Sequence, residues 1–258
     1  MYYTSSKALF PRPPCIEVIR LHLCNRLELQ YHPQSVTHNA NVPTPLFDSY
    51  RTKGLRKQLI DRLHKRGIED KAVLRAIGKI PRHLFMDSAF LEHAYQDKPF
   101  SIGEGQTISQ PYTVAIQTSL LQVEPGDKIL EIGTGSGYQS SILLELDAML
   151  YSVEYHQRLY EDARFLLSRL GYQGTFCCGD GSLGWPQYAP FDGIIVTAGA
   201  PSVPQALKDQ LEEGGRLVLP VGQGDSQEMC RLTKLPEGEW KEEYFGSYSF
   251  VPLRGKEG

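Results

Sequence analysis

Two carboxylates and a run of alternating glycines are the residues of this chain best spaced for chemistry. Glu131-Ile132-Gly133-Thr134-Gly135-Ser136-Gly137 puts an acid two residues before the first of three glycines. Glu154 follows roughly 20 residues beyond the loop, the distance at which a second acid reads ribose hydroxyls in nucleotide-type sites. Glycines at such a turn let the backbone approach a ligand closely. The spacing excludes three familiar loops. A dinucleotide fingerprint, Gly-x-Gly-x-x-Gly, requires its third glycine at position 138, where Tyr138 stands. A P-loop requires Gly-Lys-Ser/Thr, and none follows. A hydrolase nucleophile elbow at Ser136 requires glycines where Thr134 and Tyr138 stand.

The acid-x-Gly-x-Gly-x-Gly spacing is similar to that of the Rossmann-like methyltransferases, whose S-adenosyl-L-methionine has no diphosphate and carries two cationic groups, an α-ammonium and a sulfonium. Glu131 at a strand end is placed to attract them. The two oxygens of Glu154 can accept from both ribose hydroxyls.

These residues need a strand and a helix on either side of the loop. Ile129, Leu130 and Ile132 form a short apolar run after the turn Pro125-Gly126-Asp127, which reads as a buried parallel strand. Ser140 to Leu146 has helical periodicity. Met149 to Glu154 reads as the next strand, and His156 to Leu170 as a crossover helix stopped by Gly171. Gly174 to Gly181 is a third strand whose end carries Asp180 between glycines, and 191–200 a fourth. A helix over Pro204–Leu211, a strand over Arg216–Val221 and an antiparallel pair, 230–234 with 244–253, complete the pattern. Upstream, Leu55, Leu59, Ile60 and Leu63 predict a helix ended by Gly67, and a second runs from Asp70 to Ile77. Pro99 to Tyr112 reads as a loop before a helix over Val114–Leu121. In it, Ser109 has two open roles from pattern alone, capping that helix or acting in chemistry. The expected fold is α/β: a mostly parallel mixed sheet, helices on both faces and an antiparallel C-terminal pair.

Composition narrows the class further. The chain has 258 residues, 41% hydrophobic, with a net charge of −3. One catalytic domain over 47–258 is expected, and the net charge shows no basic footprint of a nucleic-acid enzyme. Five cysteines without a Cys-x-x-Cys indicate neither a disulfide framework nor a zinc site, so the chain reads as reduced and cytoplasmic, with no metal. No run of about 18 apolar residues is present to span a membrane. Residues 1–46, rich in proline with His22, His32 and His38, are expected to be a poorly ordered extension with one weak element around Ile16 to Leu29. His22-x-Cys24 lacks the second pair that a metal site requires. His83 and His93 lack partner motifs and read as packing or solvent-facing residues. The vicinal Cys177-Cys178 reads as core.

Four segments in order resemble the protein-L-isoaspartate O-methyltransferase family, bacterial type: Gly105-Gln106-Thr107-Ile108-Ser109-Gln110-Pro111, the glycine loop through Tyr138, Gly179-Asp180-Gly181, and Gly214-Gly215-Arg216-Leu217-Val218-Leu219-Pro220-Val221-Gly222. The resemblance spans about residue 50 to the C-terminus. It implies transfer of a methyl group from S-adenosyl-L-methionine to the carboxylate of L-isoaspartyl residues in damaged proteins and peptides, which starts their repair. It implies Ser109 as the active-site residue. Cofactor contacts are implied at Gln106, Thr107, Ile108, Glu131, Gly133, Thr134, Gly135, Gly137, Glu154, Tyr155, Asp180 and Gly181, with Asp180 accepting from the adenine amino group. Ile108, Ser109 and Pro111 are implied as one wall for the peptide, and Val251, Pro252 and Leu253 as the other. A monomer is implied as well, and the net charge and hydropathy lead to the expectation that neither nucleic acid nor membrane is a partner. The sequence departs from eukaryotic-type members, some of which carry histidines where Tyr112, Thr113 and Val114 stand, and residues 1–46 have no counterpart. Rival readings are a methyltransferase of the same fold acting on a small molecule or RNA, and a protein that binds the cofactor without transfer.

Overall fold

The structure, a computed structural model, describes residues 48–255. The expectations for residues 1–46 lie outside the described residues.

Two helices open the described chain. Helix α1 (Tyr50–Lys65) is capped by the Ser49 side chain, which accepts from Thr52 N, and Gly67 leaves it with φ +96°. Helix α2 (Lys71–Lys79) starts where Asp70 accepts from Ala72 N and Val73 N, a cap that contributes about 1 kcal/mol. Leu59 and Leu63 of α1 and Val73 and Ile77 of α2 enter a common core. His83 is buried there, its Nδ1 2.7 Å from Tyr95 Oη, whereas His93 is exposed.

The stretch expected as a loop holds a hairpin. Strands β1 (Phe100–Gly103) and β2 (Gln106–Ile108) pair antiparallel around Glu104-Gly105, whose φ angles are +52° and +69°. Two successive positive φ values make the tight turn whose twist matches paired strands. Helix α3 follows at Pro111–Leu121, three residues longer at its start than the apolar period indicated, because proline suits the first helical position.

The main sheet comprises β3 (Lys128–Ile132), β4 (Met149–Glu154), β5 (Thr175–Cys178), β6 (Phe191–Val196), β7 (Leu211–Val221), β8 (Gln227–Lys234) and β9 (Trp240–Tyr248), in the order β5-β4-β3-β6-β7-β8-β9. The first five strands along it are parallel, and β8 and β9 join antiparallel. Helices α4 (Tyr138–Glu145) and α5 (Gln157–Arg169) link β3, β4 and β5, and a short α6 (Gln205–Asp209) precedes β7. The predicted helix over Pro204–Leu211 is therefore shorter, since Leu211 already pairs with Phe191 as a strand residue.

Both sheet faces are buried. Leu130, Ile132, Ile194 and Leu217 enter one cluster, and Ile129, Ile195 and Val218 the other, the two-sided burial of a covered parallel strand. From β3 the chain winds outward through β4 and β5, then returns to β6 on the other side. The switch between β3 and β6 opens a crevice at the strand ends.

The predicted last strand over 244–253 stops early, at Tyr248. The chain then crosses those strand ends: Gly199 N donates to Val251 O and Leu253 N to Gly199 O, both at 2.8 Å. Partners on the β6 loop draw this segment away from β8.

Candidate active site

The glycine loop owes its shape to three left-handed residues, Gly133, Gly135 and Gly137, with φ of +94°, +54° and +84°. A Cβ at Gly133 would collide with Thr197 Oγ1, a hydroxyl that itself donates to Gly133 O at 2.7 Å. Backbone of the loop and the end of β6 thus lie in direct contact. Gly133, Thr134 and Gly135 line a cavity over the crevice. Glu154, buried at the end of β4, also lines it and fastens the loop: Oε2 accepts from Gly135 N at 2.7 Å and Oε1 from His156 N at 2.9 Å.

Of the other residues singled out from sequence, Gln106, Thr107, Ile108 and Ser109 on the hairpin side, Tyr155 and Gly181 on the β4 and β5 side, and Val251, Pro252 and Leu253 from the crossing segment share this cavity. Val251, Pro252 and Leu253 were expected against a peptide. Pro252 and Leu253 instead face the same space as the glycine loop, and Val251 alone of the three also reaches a second groove.

Four expected contacts stand elsewhere. Glu131 is wholly buried behind the loop and absent from the cavity wall. Its Oε2 accepts from Ser140 Oγ at 2.5 Å and Ser152 Oγ at 2.7 Å, and Ser152 Oγ is 2.6 Å from Thr134 Oγ1. Burial outweighs these hydrogen bonds and pushes its carboxyl up to about 8. Set back from the cavity, Glu131 ties α4, β4 and the loop together through these hydroxyls. Gly137 supports rather than lines the cavity: a Cβ there would press on Leu167 Cδ1 at 3.1 Å and Ala163 Cβ at 3.4 Å, so it lets α5 pack closely. Asp180 turns its carboxylate onto Ser182, accepting from N at 3.0 Å and Oγ at 2.6 Å, while Gly181 takes the wall position. Pro111 is buried at the start of α3 and faces neither space.

Ser109 does not cap α3. The N-cap is Gln110, without a side-chain bond, and the first turn is held from outside by Asp97 Oδ1, which accepts from Tyr112 N at 2.8 Å. The Ser109 hydroxyl has no hydrogen-bond partner among the described residues. It lines both the cavity and the second groove, which is bounded by Arg66, Tyr112, Ser226 and Gly246 to Val251. Thr107, Thr197 and Val251 are the other residues common to both spaces. The Arg66 guanidinium lies 3.7 Å from the Tyr112 ring centroid and pairs with Asp97, so one acid orders both the helix start and the groove wall.

Of the wall residues that the sequence reading did not single out, Gln139 and His156 carry unpaired buried polar atoms. Gln139 is buried with Nε2 donating to Thr118 Oγ1 at 2.9 Å and Oε1 lacking a partner; His156 has a buried Nε2, also without one. The signal for both was position, since each falls in the first residues after a cofactor-loop element. Unpaired buried polar atoms cost about 1–3 kcal/mol each. An acceptor and a ring nitrogen waiting beside a glycine cradle fit a ligand with ammonium and hydroxyl groups. The residues present therefore suit S-adenosyl-L-methionine.

Fold and cavity together define a Rossmann-like, S-adenosyl-L-methionine-dependent methyltransferase. Residues 54–258 match the model of the protein-L-isoaspartate(D-aspartate) O-methyltransferase family. The chain belongs to this family, whose methyl donor is S-adenosyl-L-methionine. It is 58% identical over 211 residues to a protein-L-isoaspartate O-methyltransferase of Cytophaga hutchinsonii, covering 82% of this chain and 96% of that one. A Salinibacter ruber protein of the same name is 47% identical over 80% of this chain and 94% of its own. Among solved structures, a protein-L-isoaspartate O-methyltransferase superposes with a TM-score of 0.72 at 31% identity, over 79% of this chain and 67% of that one. A Plasmodium falciparum structure described as a complex with S-adenosyl-L-homocysteine shares the fold, with a TM-score of 0.68 at 24% identity over 77% and 98%.

Proposed function

We propose that the protein transfers a methyl group to the free carboxylate of L-isoaspartyl residues in damaged polypeptides, with Ser109 holding the acceptor at the junction of the two spaces. The observation that carries this is the unpaired Ser109 hydroxyl, shared by the cavity and the groove. When bound, S-adenosyl-L-methionine supplies a sulfonium methyl that an oxygen nucleophile can take in line. Gly133, Gly135 and Thr134 would cradle it, Glu154 would accept from ribose hydroxyls with its remaining lone pairs, and Gln139 Oε1 would accept from the ammonium. Tyr155 and Gly181 would bound the base.

An isoaspartyl carboxylate is already ionised at neutral pH, so the protein has no proton to remove. Orientation and exclusion of water are its work. Ser109 Oγ donates to one carboxylate oxygen and fixes the other toward the cavity. Ile108 and Val251 supply an apolar rim that keeps water from that oxygen. Selection between normal and iso-linked aspartate must come from the main chain, since both present a carboxylate. The groove bounded by Tyr112 and Gly246 to Val251 is the surface that would read it. The catalytic domain is taken as 47–258, acting as a cytoplasmic monomer without nucleic acid. None of the helices among the described residues is long and apolar enough to cross a membrane.

The test is transfer of labelled methyl from S-adenosyl-L-methionine to a peptide with one isoaspartyl residue, beside the same peptide with normal aspartate. Base-labile label on the first alone is expected. Label on neither, with the cofactor bound, would overturn the assignment.

A further inference from the structure

The net charge of −3 conceals a strong asymmetry. Residues 50–79 hold ten Lys and Arg against three Asp and Glu, a local charge of +7, so the remainder carries −10. The absence of a basic footprint holds only for the average. Several of these cations are matched: Arg51 with Glu92, Arg56 with Asp48, Arg66 with Asp97, Lys79 with Glu145. Lys53, Lys57, Lys71 and Arg75 are not. They are exposed, they have no acidic partner among the described residues, and all four border one groove between α1 and α2. Its floor is apolar, formed by half-buried Ile60 and Leu74 beside Gly78.

Four unmatched cations around an apolar floor suit a ligand with carboxylates flanking an apolar side chain. Aromatic side chains on which bases stack are absent from this groove, so the polypeptide reading is favoured over nucleic acid. The chain's own first 46 residues are a poor occupant, carrying Lys7, Arg12, Arg20 and Arg26 against Glu17 and Glu28. We propose that this groove docks acidic, leucine-bearing segments of the polypeptide substrate, outside the methyl-transfer site. The proposal rests on the reading of polypeptides as acceptors. Deamidation of asparagine adds a carboxylate, so substrates damaged at several sites present more of what the groove binds.

The experiment uses the full chain and two probes. One is a labelled Glu-Leu-Glu-Asp-Leu-Glu peptide without isoaspartate; the other is an isoaspartyl peptide with or without that sequence joined by a flexible linker. Expected results are saturable binding of the acidic peptide that weakens with salt, and a KM for the tailed substrate several-fold below that of the untailed one at equal kcat. The double substitution Lys57→Glu with Arg75→Glu should weaken peptide binding at least roughly tenfold at low salt and remove the KM advantage, leaving untailed turnover unchanged. Replacing the tail leucines by serine should also weaken binding. Binding of the acidic peptide that ignores the charge reversal would overturn the proposal. So would tighter binding of an oligonucleotide of equal charge, or salt-sensitive self-association that the charge reversal abolishes. If no peptide is methylated yet the acidic peptide still binds in a charge-dependent manner, the acceptor assignment fails and the groove stands.

Discussion

The cofactor cavity and the groove beside it share Ser109 but are built differently. The cavity is made of backbone: three glycines with positive φ, strand ends, and carbonyls and amides fixed by buried side chains. The groove is made of side chains on exposed elements, Arg66 and Tyr112 on one bank and the end of β9 with its tail on the other. A backbone-built site is rigid and intolerant, as a ligand common to a whole family requires. A side-chain-built site can be changed residue by residue, as peptide recognition requires.

The largest effect that tests this contrast is expected from Gly133→Val. The new side chain meets Thr197 at once and holds a conformation that β-branched residues avoid. Strain and overpacking of this kind cost roughly 2–4 kcal/mol. Calorimetric titration should show no cofactor binding, and thermal melting should fall by several degrees. Ordinary affinity in this variant would mean the loop is not the cradle.

Glu154→Ala comes next. It removes the acceptor of Gly135 N and His156 N, leaving the loop fold but not its fastening. Hydrogen bonds to a carboxylate contribute about 1.5–3 kcal/mol, so cofactor Kd should rise about 10- to 150-fold with peptide KM little changed. Ser109→Ala should do the reverse in kind and less in size. With cofactor affinity within about twofold of the parent, kcat on an isoaspartyl peptide should drop about tenfold, the worth of one positioning hydrogen bond. Equal turnover would remove Ser109 from the junction.

What the sequence made visible follows the same division. The loop and β3 were legible because positive φ demands glycine and a doubly covered strand demands an unbroken apolar run. Glu154 was legible by distance from the loop. The turn at Glu104-Gly105 was missed because its first residue is not the usual Asn or Asp, although the glycine at the second position was there to read. The cap on α3 was not legible, since Asp97 reaches it from 15 residues away. Glu131 was legible as a strand residue but its enclosure was not, because no local pattern reports that Ser140 and Ser152 would close over it. The charged groove on α1 and α2 was hidden only by averaging, and a count per segment exposes it.

The smallest effect sharpens the contrast between the two acids. Glu131 and Glu154 end adjacent strands, yet one is sealed off and the other faces the cavity. With its carboxyl raised from 4.5 to about 8, Glu131 keeps its proton in the folded protein while the unfolded chain loses it. The folded state then binds more protons through that window. Stability from this group is therefore full below about pH 4.5 and declines as pH rises toward 8, at up to about 1.4 kcal/mol per unit. Glu131→Gln keeps the shape without the titration. Cofactor Kd at pH 7 should stay within about twofold, and urea midpoints of parent and variant, measured from pH 5 to 8.5, should diverge in the variant's favour as pH rises. A pH-independent difference would show Glu131 to be charged in the fold, and a large loss of cofactor affinity would return it to the binding site.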